Sequence, residues 1–245
     1  MRLTGVGVGP GDPDLVTVKA VRVLQEADLV VVPVMDVNEQ GRAEATVRAH
    51  VTHDRITRLV FALDDRGGAT PARREAWEAA ADAVAEALQA NDSVAFATIG
   101  DPNVYSTFTY LADAVRERVP AVEIATVPGI TAMQALAATS GTVLCEGTEA
   151  LALLPLTAGL DVFRTALEQF DTVVAYKGGR VLEQVREVLQ EQGRFDDAVF
   201  GAALGLPDEQ VGPLPAGAAP YLSTVIVPAR RTSRGGKLLP VTCRS

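Results

Sequence analysis

The feature that most restricts the fold is a repeated alternation. An apolar run stops at a glycine- or proline-bearing turn, and a helical pattern follows. The clearest case is Ser93 to Ile99, which ends at Gly100-Asp101-Pro102 before a helix-like segment from about Val104 to Arg118. A glycine at a strand end leaves room for another molecule close to the backbone. Asp101 suits a helix cap or a hydrogen-bond acceptor for a ligand, and Pro102 stiffens the turn. Leu3 to Val8 runs likewise into Gly9-Pro10-Gly11-Asp12-Pro13, ahead of a helix over 14–27 in which Leu15, Val18, Val21, Val23 and Leu24 are the apolar positions. Leu29 to Val32 is a continuous apolar strand, as a parallel sheet covered on both faces requires. A helix over 44–51, a strand over 56–63, a polar loop over 64–68 and a long helix opened by Pro71 complete the first series.

After a break near Arg118 to Ala121 the alternation restarts. Strands are expected at 122–127, 150–154, 172–176, 198–203 and 221–227, and helices at 131–138, 161–169 and 180–192. Val211-Gly212-Pro213-Leu214-Pro215 suits only a sheet edge, because proline cannot donate to a ladder. Strand–helix alternation gives α/β architecture with mainly parallel sheets. The single break predicts two successive α/β domains, residues 1–118 and 119–245, with a cleft between them, the place where a cofactor would be expected should a family resemblance call for one.

Composition excludes several classes of function. At 245 residues and 48% hydrophobic, the chain can build a sizeable core. Its longest apolar stretches, 29–35 and 151–156, fall short of the roughly 18 residues of a membrane helix, so no membrane partner is expected. The net charge of −9 opposes general nucleic-acid binding. Seven arginines against five acids between Gly41 and Ala76 still leave a locally positive wall for an anionic small molecule. Cys145 and Cys243 are too few for a disulfide framework. With no export signal in Met1-Arg2-Leu3-Thr4-Gly5, they point to reduced thiols in the cytoplasm. His50 and His53 read as surface residues and cannot complete a zinc site, so no metal is expected.

Familiar motifs fail on inspection. Gly7-Val8-Gly9-Pro10-Gly11-Asp12 places Asp12 where a dinucleotide fingerprint needs a small residue, and Pro10 removes a useful amide. There is no GxxxxGK[ST] loop, no GxSxG elbow and no HExxH pair. What remains is a set of small-residue turns at strand ends: 9–12, 100–102, 128–132, 177–179 and 202–205. Such a set suits a neutral or cationic cofactor held by backbone groups, and group transfer by positioning.

Three of these segments carry a family resemblance. Val6 to Pro13 followed by Leu15-Val16-Thr17-Val18-Lys19-Ala20, Gly100-Asp101-Pro102-Asn103-Val104-Tyr105-Ser106, and Val127-Pro128-Gly129-Ile130-Thr131-Ala132 occur in the order and spacing of the motifs of tetrapyrrole methyltransferases. The chain resembles that family over nearly its whole length. Within it, Thr98 to Pro102 running into Tyr105 to Leu111, the Tyr176-Lys177-Gly178-Gly179-Arg180 segment and Pro220 to Val227 resemble the branch that methylates carbon 20 of precorrin-2. Pro33-Val34-Met35 departs from the Tyr-Asp-Arg of the sirohaem-forming branch.

The resemblance implies S-adenosylmethionine as methyl donor, S-adenosylhomocysteine as product, an anionic tetrapyrrole acceptor and a homodimer. The implied reaction is methylation of precorrin-2 to precorrin-3A in cobalamin synthesis, with cobalt-factor II, another precorrin or the diphthamide precursor on a protein as alternative acceptors. A nucleoside-binding domain without enzymatic activity is the rival class. By motif, Gly100, Asp101, Val104, Tyr105, Thr131 and Ala132 would contact the cofactor. Tyr176, Ala203 and Thr224 align with later contact positions. Gly9, Pro10, Gly11 and Asp12 would line the substrate side. Arg66, Lys177 and Arg180 would meet carboxylates, with Arg73 and Arg74 as further candidates. Asp101 remains a helix cap in the other reading, and no catalytic base is named.

Overall fold

The computed structural model describes residues 1–61, 70–220 and 222–231. The chain divides into two compact units, Met1–Thr131 and Ala132–Ser245.

In the first unit, β1 (Arg2–Gly7), β2 (Leu29–Val34), β3 (Ile56–Val60), β4 (Ser93–Thr98) and β5 (Glu123–Val127) form one sheet in the order β3-β2-β4-β1-β5, every pair parallel. Alternate strand residues serve opposite faces. Leu3, Val31 and Phe96 pack against α3 (Pro71–Ala90) and α4 (Phe108–Arg118). Val6, Val30, Val32 and Ala95 pack against α1 (Val18–Glu26) and α2 (Arg42–His50). Burial on both faces explains why these strands read as unbroken apolar runs. The pause at 118–121 is the end of α4. The strand after it, β5, joins the first unit rather than opening the second, because its register is with β1 and because Val122 and Val127 complete the first unit's two cores.

The second unit begins with α5 (Ala132–Ser140). It continues through β6 (Leu151–Pro155), α6 (Leu160–Gln169), β7 (Thr172–Tyr176), α7 (Leu182–Glu191), β8 (Val199–Ala202), β9 (Gln210–Gly212) and β10 (Ser223–Val227). The sheet order is β6-β7-β10-β8-β9. Only β6 and β7 pair in parallel; β10 runs antiparallel to both its neighbours and β9 antiparallel to β8. The expectation of mainly parallel sheets therefore holds for the first unit and fails for the second. A buried β-branched run such as Val225-Ile226-Val227 fits a sheet centre in either direction, so composition carries no orientation. The edge position of β9 agrees with the prolines that follow it. α6 and α7 cover one face through Phe163, Val185 and Leu189. α5 covers the other, where a β-carbon on Gly201 would come within 2.7 Å of Leu136. No helix among the described residues is long and apolar enough to cross a membrane.

Candidate functional site

Parallel pairing brings the carboxyl ends of β1, β4 and β5 to one edge, where open α/β sheets bind ligands. Three of the expected turns meet there, main chain against main chain. A β-carbon on Gly7 would lie 2.5 Å from the Gly100 carbonyl oxygen and 2.6 Å from the Gly129 nitrogen. A β-carbon on Gly129 would collide with the same carbonyl. The Gly100 amide donates to the Gly9 carbonyl at 2.7 Å. Gly9 and Gly100 have φ of 76° and 71°, a region that favours glycine. The β-carbon position of Gly100 itself faces open space, with nothing within 4 Å.

Asp101 is 9% exposed and spends both carboxylate oxygens on this joint. Oδ1 accepts the Asn103 amide at 2.8 Å and Oδ2 the Gly129 amide at 3.0 Å. It caps a turn rather than a helix. α4 starts at Phe108, four residues later than the sequence suggests, and the Phe108 amide is taken by Ser106 Oγ at 3.1 Å. Tyr105, with φ 51°, stands in the left-handed region just before, which keeps the helix from starting at Val104.

The first turn is supported from behind. Gly9, Pro10 and Gly11 are buried. Asp12 Oδ1 accepts the Asp14 amide at 2.9 Å and opens a short 3-10 turn, Pro13–Leu15; Thr17 then caps α1. His50 Nε2 meets the Pro13 carbonyl at 2.8 Å, and His53 Nε2 the Leu24 carbonyl at 3.2 Å. Both histidines are half-buried ties between segments, not the surface residues expected from sequence. Elsewhere on α2, Glu44 is fully buried and accepts from Arg58 at 2.6 and 2.9 Å and from Arg48 at 2.8 Å. The hydrogen-bonded Arg58 guanidinium, followed by Arg48, holds the Glu44 carboxyl below its usual range against the opposing pull of burial. Sequence reasoning missed this cluster. Its one local signal was the i, i+4 spacing of Glu44 and Arg48.

In the second unit, β7 and β8 end where β10 begins. Tyr176, Lys177, Ala203 and Thr224 therefore share one sheet edge, as Thr224 pairs directly with Tyr176 and Gly201. Lys177 (φ 61°) and Ala203 (φ 51°) are both left-handed, a state that costs about 1–3 kcal/mol and concentrates at functional positions. The Tyr176 hydroxyl accepts the Met133 amide at 2.9 Å, in the first turn of α5. Thr131 is buried and Ala132 half-buried on the approach to that helix. Gly179 is required by packing, since a β-carbon there would lie 2.3 Å from the carbonyl oxygens of Ala219 and Pro220. Arg180 is exposed. Arg66 lies outside the described residues.

The fold recurs in known proteins. The chain superposes on the cobalamin synthesis related protein CobF of Corynebacterium diphtheriae with a TM-score of 0.68 and 17% identity, covering 93% of this chain and 98% of that one. For the uroporphyrin-III C-methyltransferase of Thermus thermophilus, complexed with S-adenosyl homocysteine, the values are 0.66, 21%, 92% and 97%. These likenesses establish the fold. In sequence, the precorrin-2 C(20)-methyltransferase of a Sinorhizobium species is 34% identical over 236 residues, covering 93% of this chain and 95% of that protein. The cobalt-precorrin-2 C(20)-methyltransferase of Salmonella typhimurium is 28% identical over 237 residues, covering 92% and 95%. The family model of the tetrapyrrole (corrin/porphyrin) methylases matches residues 2–220, and this chain belongs to that family.

Proposed function

We propose that the protein uses S-adenosylmethionine to methylate carbon 20 of precorrin-2, giving precorrin-3A in cobalamin synthesis. The observation that carries this reading is the joint of three glycine turns with Gly100 open at its surface. Bare main chain at a strand edge fits a nucleoside-bearing sulfonium, which needs close approach and backbone partners but no phosphate cradle.

When bound, S-adenosylmethionine supplies a methyl group activated on a sulfonium. The acceptor carbon is electron-rich, so the chain needs no nucleophile, and the proton that carbon 20 gives up on gaining the methyl group passes to water. Its residues hold and align, which can lower a barrier by up to about 7–11 kcal/mol. In the first unit Gly100, Val104, Tyr105 and Thr131 hold the cofactor, and in the second the corresponding positions are Ala132, Ala203 and Thr224; Asp101 and Tyr176 act through the main-chain amides they bind. Gly9 to Asp12 line the substrate side, and Lys177 and Arg180 meet carboxylates, Arg180 with the option of two parallel hydrogen bonds. A cytoplasmic homodimer completes the proposal, and sedimentation of the purified protein checks the dimer.

The decisive experiment is incubation with S-adenosylmethionine and either precorrin-2 or its cobalt complex, read by mass spectrometry, with NMR locating the new methyl. The expected product is precorrin-2 carrying one added methyl on carbon 20. Faster turnover of the cobalt complex would move the assignment to that acceptor. Methylation at another carbon, or none, would overturn the reading.

A further inference from the structure

We infer that Asp101 and Tyr176 are positioning residues that fix the two ends of the segment Gly129–Met133. The inference rests on the function proposed above, in which Thr131 and Ala132 of that segment contact the cofactor. The segment follows β5 and leads into α5, so sheet pairing does not hold it. Each end is held instead by a side chain remote in sequence. Asp101, 28 residues away, accepts the Gly129 amide on Oδ2. Tyr176, 43 residues away, accepts the Met133 amide on its hydroxyl.

Both anchors suit that task. A carboxylate is a charge-assisted acceptor and stronger than a neutral one. Asp101 is nearly buried, and its other oxygen is engaged by Asn103, so both oxygens serve the main chain. Gly129 also tolerates little drift, because its α-carbon is packed against Gly7 and the Gly100 carbonyl. Tyr176 closes β7, and its rigid ring carries a hydroxyl to one of the amides that the first turn of a helix leaves without an intrahelical partner. Asp101 therefore acts on the cofactor through the Gly129 end, and Tyr176 through the Met133 end.

The test uses Asp101→Asn, Tyr176→Phe and the double variant. Asp101→Asn keeps the shape but offers one side-chain oxygen where two are needed. Tyr176→Phe removes a single oxygen, and it carries the test should Asp101→Asn not fold. Amide hydrogen exchange by NMR and calorimetric titration with S-adenosylhomocysteine are the readouts. Each variant is expected to lose protection at its own amide, Gly129 or Met133, and to raise the Kd about ten-fold, the size of one lost hydrogen bond to a held amide. The KM for S-adenosylmethionine should rise with little change in kcat. The double variant should weaken binding by much less than the product of the single effects, since both anchors hold one segment.

Unchanged exchange at Gly129 together with weakened binding in Asp101→Asn would overturn the inference in favour of direct contact. Full multiplication of the two effects would overturn it as well. The exchange measurement needs no ligand. A wild-type protein that fails to bind S-adenosylhomocysteine would thus overturn the proposed function, while lost protection in the variants would still uphold the anchors.

Discussion

A β-carbon on Gly129 would fall 2.0 Å from the carbonyl oxygen of Gly100. The obstacle is backbone, which cannot rotate away. Gly129→Ala is therefore expected to push two turns apart, at a cost of about 1–3 kcal/mol of stability. Binding of S-adenosylhomocysteine should fall at least about ten-fold beside it, since the displaced turn is part of the proposed seat. Thermal unfolding and calorimetry on the same preparation check both.

Gly100→Ala separates room from strain. Nothing stands in the way of its methyl group, but φ is 71°. The left-handed conformation should cost about 1–2 kcal/mol. The methyl would project into the space assigned to the ligand, so the loss of binding should exceed what the change in stability accounts for. Equal affinity in wild type and variant would place the ligand elsewhere.

Glu44 predicts the behaviour of the protein in acid. Its carboxyl is held below the ordinary range chiefly by Arg58. A lowered folded value means that its contribution is complete above the unfolded carboxylate value and drains away as pH falls through the folded one. Glu44→Gln should cost about 1.5–3 kcal/mol at neutral pH, the range for hydrogen bonds to charged groups. It should also flatten the acid limb of stability against pH, narrowing the gap to wild type. Denaturant unfolding at stepped pH values measures both effects.

Lys177 allows charge and strain to be separated. Lys177→Ala and Lys177→Gly both remove the ammonium, but only glycine relieves the left-handed backbone. The glycine variant should be more stable than the alanine variant by about 1 kcal/mol. Both should bind the polycarboxylate acceptor more weakly, with a shallower dependence on salt. Acceptor titrations at several ionic strengths and thermal unfolding provide the comparison.

What the sequence disclosed follows from which forces are local. The turns at Gly9, Gly100 and Gly129 were readable because a positive φ or a close backbone approach admits little but glycine. The alternation of β1 to β4 with α1 to α4 was readable because burial on both faces leaves continuous apolar runs. The start of α4 was misplaced by four residues, since nothing in Val104-Tyr105-Ser106-Thr107 announces that Tyr105 adopts a left-handed backbone. The direction of β10 and the attachment of β5 to β1 depend on partners distant in the chain, and a strand's composition does not name its neighbour. His50 and His53 were read as surface because their partners are carbonyls, which every residue possesses.

The joint of Gly7, Gly100 and Gly129 has one more consequence. Its form is set by atoms common to all amino acids, and a mutation changes only side chains. Such a floor cannot be adjusted gradually: a substitution there either fits or breaks it. Divergence toward other acceptors would then proceed away from the floor, through exposed positions such as Arg180. A lineage of enzymes could in this way change what it methylates while inheriting, unaltered, the way it holds the donor.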